Sequence, residues 1–203
     1  MTDRARGRDP RVLVLDGNSQ ASLCVARSLS KRGAAVDVGA VRRGSIGARS
    51  RHVSESFLYP DPAVDPEPFV DALVDRLTDG GYDAVIPTRD DTTTVVAKFQ
   101  ERLAATGTTV GVEDWDRFRL VADKARTFEM AADLSVPTPT TLAPESVAEA
   151  EAVADEFSYP VVVKSRSKHV WAEEDRLDTQ LVDDGHYADS PAALVDTYRR
   201  LLA

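Results

Sequence analysis

The sequence predicts an α/β protein. A doubly wound parallel sheet is expected over residues 10–112, and a helical connector with a small α+β unit over 113–203, with the boundary near 113–122. Three observations carry this. Val12-Leu13-Val14-Leu15 is a continuous apolar run, the mark of a strand buried on both faces. Short apolar runs then alternate with helically spaced apolar residues as far as Val112. Beyond it the pattern changes to long helical spacings broken by a proline-rich stretch.

The first strand ends in the turn Asp16-Gly17-Asn18-Ser19, and Leu23, Ala26 and Leu29 then run at helical spacing to a stop at Gly33. Ala35 to Val41 reads as the second strand. Residues 45–68 are rich in loop signals around a short Phe57-Leu58-Tyr59 strand. Phe69, Leu73 and Leu77 mark a helix ended by Gly80-Gly81, Ala84-Val85-Ile86 a strand, Val95, Phe99 and Leu103 a helix, and Thr108 to Val112 a further strand. In the second half, Trp115, Phe118 and Ala122 are helically spaced, and Phe128 and Ala131 continue the pattern beyond Asp123. Val136-Pro137-Thr138-Pro139-Thr140 must be extended, because each proline disfavours the helical region for its predecessor. A helix around Ala150, Val153 and Phe157 precedes Val161-Val162-Val163-Lys164, a short strand capped by a cation. A polar turn over Ser165 to Asp175, a strand over Leu177 to Val182 and a helix through Leu194, Tyr198 and Leu201 complete the chain.

Composition excludes several functions. The 203 residues carry 34 Asp+Glu against 25 Lys+Arg, a net charge of −9, which argues against binding a phosphate backbone. No apolar run approaches the ~18 residues that span a membrane, and the leader is charged without an apolar core, so a cytoplasmic protein is expected. The acids are 23 Asp to 11 Glu and the bases 20 Arg to 5 Lys. Short, strongly hydrated carboxylates with few ammonium groups suit a salty cytoplasm; codon usage favouring Arg over Lys is the alternative. Cys24, the one cysteine, falls in a helical pattern and reads as packing.

The turn after the first strand, Asp16 to Gln20, offers a helix N-terminus to a ligand, yet it holds one glycine and neither the dinucleotide nor the P-loop spacing. A plain turn with a helix cap competes with substrate contact through Asp16 and Asn18. Arg89-Asp90-Asp91 lies at the carboxyl edge where doubly wound sheets bind ligands, and a helix cap by either aspartate explains it equally well. His52, His169 and His186 are too dispersed to form a metal cluster, and no nucleophile elbow occurs. A composition that strips lysine makes each survivor informative. Lys31 and Lys98 fall on outer helical faces and read as solvated. Lys124 follows Asp123 at a helix start, and Lys164 ends a strand, where a compact ammonium is well placed against a phosphate or else simply reaches solvent.

Asp123-Lys124, then Pro137-Thr138-Pro139-Thr140, then Tyr159-Pro160-Val161-Val162-Val163-Lys164 resembles the opening of an ATP-grasp domain. The preceding residues look like the Rossmann-like pre-ATP-grasp domain of that family. Ser50-Arg51-His52, Tyr59-Pro60-Asp61-Pro62 and Ile86-Pro87-Thr88-Arg89-Asp90 are similar to its carbamoyl-phosphate-synthase-like branch. The resemblance implies that Lys124 and Lys164 contact ATP phosphates and that Ser165 to Trp171 is the loop that folds over them. That loop lacks the glycines many members carry, so Arg166 and Lys168 would substitute side-chain cations for backbone amides.

The reaction implied activates a carboxylate as an acyl phosphate with Mg-ATP for attack by an amine or thiol. Family metal ligands come late in the grasp domain, and the only asparagine here is Asn18, so the chain is expected to be the front of a longer ligase, without its Mg²⁺ ligands and inactive alone. The expected partners are ATP and a small carboxylate, with a homodimer left open and neither nucleic acid nor membrane. The rival reading is a non-catalytic module that holds a small ligand at the carboxyl edge of the sheet.

Overall fold

A computed structural model describes residues 8–167, 169–171, 177–179 and 186–202. The chain forms two compact units: Met1–Phe118 with Trp171–Asp178, and Arg119–Val170 with Thr179–Ala203.

In the first unit, β1 (Arg11–Val14), β2 (Ala35–Ala40), β3 (Ser56–Leu58), β4 (Ala84–Ile86) and β5 (Thr109–Val110) form a parallel sheet in the order β3-β2-β1-β4-β5. β1 is central. Val12 stands beside Val36 and Ala84, and Val14 beside Val38 and Ile86. Because side chains alternate along a strand, Val12 and Val14 join one core with Ala26, Val36 and Val38. Leu13 and Leu15 join another with Phe69, Leu73, Leu77 and Val95. Both faces of β1 are therefore dry, as its unbroken apolar run requires.

Helix α1 (Gln20–Ser30) contributes Ala26 to the first core. Helices α2 (Pro66–Gly80), α3 (Asp90–Lys98) and α4 (Gln100–Ala104) contribute to the second. Gly81 stops α2 in a left-handed conformation, φ 59°, that a residue without a Cβ adopts at little cost. The single helix expected through Val95, Phe99 and Leu103 is two, because Phe99 leaves helical geometry at φ −106°. Cys24 is exposed rather than packed. The buried stripe of α1 runs through Ser22 and Ala26, and Cys24, two residues from each, is turned roughly 200° from either. Lys98 is exposed, but its ammonium lies over the rings of Trp115 (5.3 Å) and Trp171 (5.8 Å), so it is not simply solvated.

Sequence patterning gave no warning of Asp37, which sits in β2 with 1% of its side chain exposed. Its Oδ2 accepts from Arg11 Nη2 at 2.6 Å and from the Tyr82 hydroxyl at 2.7 Å, and its Oδ1 accepts from Glu55 N at 3.0 Å. Arg76 closes the network by donating to Glu55 at 2.8 Å. A buried carboxylate requires such partners. Burial and the hydrogen bond to Asp37 push the Tyr82 phenol up to about 12.

The connecting helix α5 (Trp115–Ala122) is followed by α6 (Lys124–Asp133) and an irregular stretch over 136–144 that includes the expected extended segment 136–140. In the second unit, α7 (Val147–Val153), a 3₁₀ turn (Ala154–Glu156), the antiparallel pair β6 (Val161–Val162) and β9 (Tyr187–Ala188), and α8 (Pro191–Leu202) surround a small core of Ala150, Ala154, Ala188, Leu194 and Val195. The polar turn expected from Ser165 is interrupted by a strand, β7 (His169–Trp171), which pairs with β8 (Leu177–Thr179). The remainder of the turn, over 172–175, and the strand expected over 180–182 lie outside the described residues. Among the described residues no helix is long and apolar enough to cross a membrane.

Candidate functional site

Two places gather polar chemistry, one in each unit. In the first, the strand order reverses direction between β1 and β4, which leaves a crevice outside their carboxyl ends. Asp16 sits there, just beyond β1, with φ 63°, a left-handed conformation that aspartate tolerates better than most residues. It is 6% exposed. Its Oδ2 accepts from Thr88 N at 2.8 Å, and its Oδ1 accepts from the Thr92 hydroxyl at 2.6 Å and from the Tyr59 hydroxyl at 3.3 Å. The Asp16 N–H in turn donates to Tyr59 Oη at 2.8 Å. Burial raises the Asp16 carboxyl above its ordinary value, and hydrogen bonds from Thr92 and Thr88 partly offset it. Burial followed by the charge of Asp16 pushes the Tyr59 phenol up as well.

The crevice opens as a cleft of about 180 Å³ with Asp16, Asn18, Arg42, Tyr59, Arg89 and Asp91 on its walls. Gly17 lets the turn pass close to β2: a Cβ there would lie 2.5 Å from Val38 Cγ1 and 2.9 Å from Ser45 Oγ. Ser19 caps α1 by accepting from Ser22 N at 3.0 Å. The capping expected of Asp90 or Asp91 is not present. Arg89 holds the cap position of α3 without a side-chain bond, and both aspartates lie in the first turn, where they complement the helix dipole. Asp91 accepts from Arg89 Nε at 3.0 Å and Nη2 at 2.9 Å. Asp16, Asn18 and Arg89 thus come together on the cleft, while Asp90 is exposed and is not among its lining residues. Sequence reasoning missed Tyr59, Thr92 and Arg42. Tyr59 lies in a phrase already singled out, whereas Thr92 and Arg42 carry no local signal.

The second place is the start of α6. Asp123 caps it, with Oδ1 accepting from Ala125 N at 2.9 Å and Arg126 N at 3.5 Å. The same carboxylate receives Arg166 Nη2 at 2.8 Å on Oδ2 and Arg166 Nε at 3.3 Å on Oδ1. Burial works to raise the Asp123 carboxyl, but the hydrogen bonds and charge of Arg166 with the two helix N–H groups carry it below the ordinary value. Lys124 reaches the same loop, its N–H donating to Arg166 O at 3.0 Å and its ammonium to Ser165 O at 3.0 Å and Arg166 O at 3.3 Å. Lys164 is exposed, and beyond β6 rather than within it. Lys168 lies outside the described residues. Among the described residues no group of three or more His, Cys, Asp or Glu is placed to hold a metal ion.

No protein-family model and no curated protein sequence matches the chain. Solved structures do. The chain is similar to the biotin carboxylase domain of the 2-oxoglutarate carboxylase from Hydrogenobacter thermophilus, solved as a dimer with MgADP, ADP and bicarbonate, at 21% identity and a TM-score of 0.63. It is similar to an L-amino acid ligase from Bacillus licheniformis at 14% identity and a TM-score of 0.65, and to N5-carboxyaminoimidazole synthetase from Staphylococcus aureus, solved with ADP, at 12% and 0.64. These matches cover 97%, 97% and 96% of this chain and 41%, 43% and 44% of those proteins. The fold matches the N-terminal portion of the ATP-grasp fold. The chain spans about two fifths of the length of these proteins. Within the ATP-grasp fold of this chain, the sheet crevice belongs to the first unit and the Asp123-Lys124-Arg166 cluster to the second.

Proposed function

We propose that this chain is the front of an ATP-dependent ligase that activates a carboxylate as an acyl phosphate for attack by an amine or thiol. Its pre-ATP-grasp domain is read as 10–112, and its connector with the first grasp subdomain as 113–203. The observation that carries this reading is the meeting of Lys124 with the backbone of Ser165 and Arg166, 41 and 42 residues away, which gathers cationic side chains beside a loop at the head of a helix. Phosphoryl transfer demands charge neutralisation and positioning more than a protein nucleophile, and lysine and arginine supply it. Lys124, Lys164 and Arg166 are the groups on this chain that would face ATP phosphates, with Lys168 beside them in sequence. Mg²⁺ finds no ligand set among the described residues, so no step is assigned to a metal on this chain. The chain alone is expected to bind ATP weakly and not to turn it over.

A second reading is favoured by the cleft at the sheet edge: a module that holds a small polar ligand between Arg42, Asn18 and Arg89. Calorimetric titration with ATP separates the two. Binding that Lys164→Ala abolishes and Arg89→Ala leaves alone supports the ligase reading. ATP binding indifferent to Lys124 and Lys164 overturns it, and supports the module if a ligand is lost on Arg89→Ala.

A further inference from the structure

We propose that a second copy of this chain docks through opposite charges, the basic face of the first unit in one protomer meeting the acidic face of the second unit in its partner.

Charge is segregated along the chain. Residues 17–54 hold seven bases, among them Arg27, Lys31, Arg43, Arg49 and Arg51, and a single acid, Asp37, which is buried. Residues 127–163 hold seven acids and no base. A chain of net charge −9 thus carries +6 in one block, seven bases less one acid, and −7 in another. The seven bases and the seven acids are all exposed. Among the described residues none of those bases forms an ion pair, and of those acids only Glu151 does, with Arg199.

Folding gathers each block. The loop after β2 runs back along α1: Gly47 N donates to Gly17 O at 2.8 Å just before α1 begins, and His52 Nδ1 stands 3.3 Å from Ser30 Oγ where it ends. Val53 joins the apolar cluster of Val25 and Leu29. Burial, and then the charges of Arg51, Arg27 and Lys31, hold the His52 imidazole below its ordinary value, so loop and helix share one positive field. In the second unit, Glu149 and Glu151 lie on α7, and Asp155 and Glu156 on the 3₁₀ turn that extends it. Glu149 accepts from Glu145 N at 2.9 Å, which ties a further acid to the helix start.

Both blocks also expose apolar side chains, Val41 and Ile46 in the first and Leu134, Val136 and Leu142 in the second. Apolar area with charges of one sign around it supplies both burial and steering, as protein docking faces do. The complement of each face is carried by the chain itself, so every further copy brings it. Two chains of −9 repel at long range, but at about 0.1 M salt charges more than ~10 Å apart are largely screened, and the groups that face each other decide.

Sedimentation velocity over a concentration series tests this. The wild-type chain should assemble at about 50 mM salt and be monomeric at about 1 M, where screening shortens to about 3 Å. Arg27→Glu/Arg51→Glu reverses two charges on the basic face, and Asp155→Arg/Glu156→Arg reverses two on the acidic face. Each double variant alone should associate at least about tenfold more weakly, because facing like charges repel strongly. Mixed one to one they should associate again, since the first keeps its acidic face and the second its basic one. A wild-type chain monomeric at low salt overturns the proposal, as does assembly that ignores salt, assembly that survives either double variant, or a mixture that stays monomeric. Assembly lost on nuclease treatment assigns the basic face to a nucleic acid and also overturns it. Circular dichroism checks that both variants fold, and the salt series on the wild type decides the matter without them.

Discussion

The Asp16 carboxylate and the Thr92 hydroxyl, 76 residues apart in the chain, meet at 2.6 Å in the crevice between β1 and β4. Thr92 is buried on α3, so this bond ties the turn after the central strand to the helix that follows its neighbour. Thr92→Val keeps the shape and removes the donor. The loss should be about 1–2 kcal/mol, the cost of leaving a buried acceptor short of a partner. Urea unfolding measures it, and wild-type stability in the variant would show that water or Tyr59 compensates fully.

Asp16 also predicts a pH dependence. Its carboxyl is raised above 3.8 by burial, so between that value and the raised one the folded protein binds more protons than the unfolded chain. This contribution is fully present below pH 3.8 and falls away as pH rises through the raised value. Asp123 has the opposite sign: its carboxyl lies below 3.8, so its contribution is present above that pH and is lost as pH falls through the lowered value. Stability of wild type minus Asp16→Asn should therefore decline with rising pH across the window, and wild type minus Asp123→Asn should decline with falling pH. A flat difference for Asp16→Asn would place its carboxyl at the ordinary value.

Within β2, Asp37→Ala should be more damaging than either. It removes the buried acceptor to which the Arg11 guanidinium and the Tyr82 hydroxyl both donate, leaving Arg11 on Gly80 O and Glu55 and Tyr82 on Arg76. Removing one member of a buried charged network costs about 3–5 kcal/mol, enough to unfold a marginal domain. Circular dichroism melts should show a large drop in Tm, while Glu55→Ala, whose side chain is 58% exposed, should cost much less.

Salt provides a further test. With 34 Asp+Glu against 25 Lys+Arg, repulsion between surface carboxylates is expected to limit stability at low ionic strength. Screening shortens to about 3 Å in 1 M salt, so Tm should rise steadily toward molar salt. Equal melting temperatures at low and molar salt would leave the arginine excess to codon usage.

The sheet was readable because its signals are local. Val12 to Leu15 had to be buried on both faces, and Phe69, Leu73 and Leu77 fall on one side of a helix whatever surrounds them. The crevice was partly readable: Asp16, Asn18 and Arg89 follow strand ends, and strand ends in a parallel sheet share one edge. Cys24 and Lys98 were misread because a single position does not reveal which way a helix faces or which aromatic ring will lie over it.

By itself, then, the sequence determined the order of strands and helices, the proline-rich break over 136–140 and the resemblance carried by Asp123-Lys124 and Tyr159 to Lys164. These depend on residue periodicity and backbone restriction, which act over a few neighbours. Tertiary structure alone decided that Asp16 is braced by Thr88, Thr92 and Tyr59, that Asp37 is buried among arginines, and that Arg166 lies on Asp123 instead of reaching freely into solvent. Each of these is a charged or polar pairing between segments far apart in the chain. Burial sets its strength by removing competing water, and burial is a property of the folded whole.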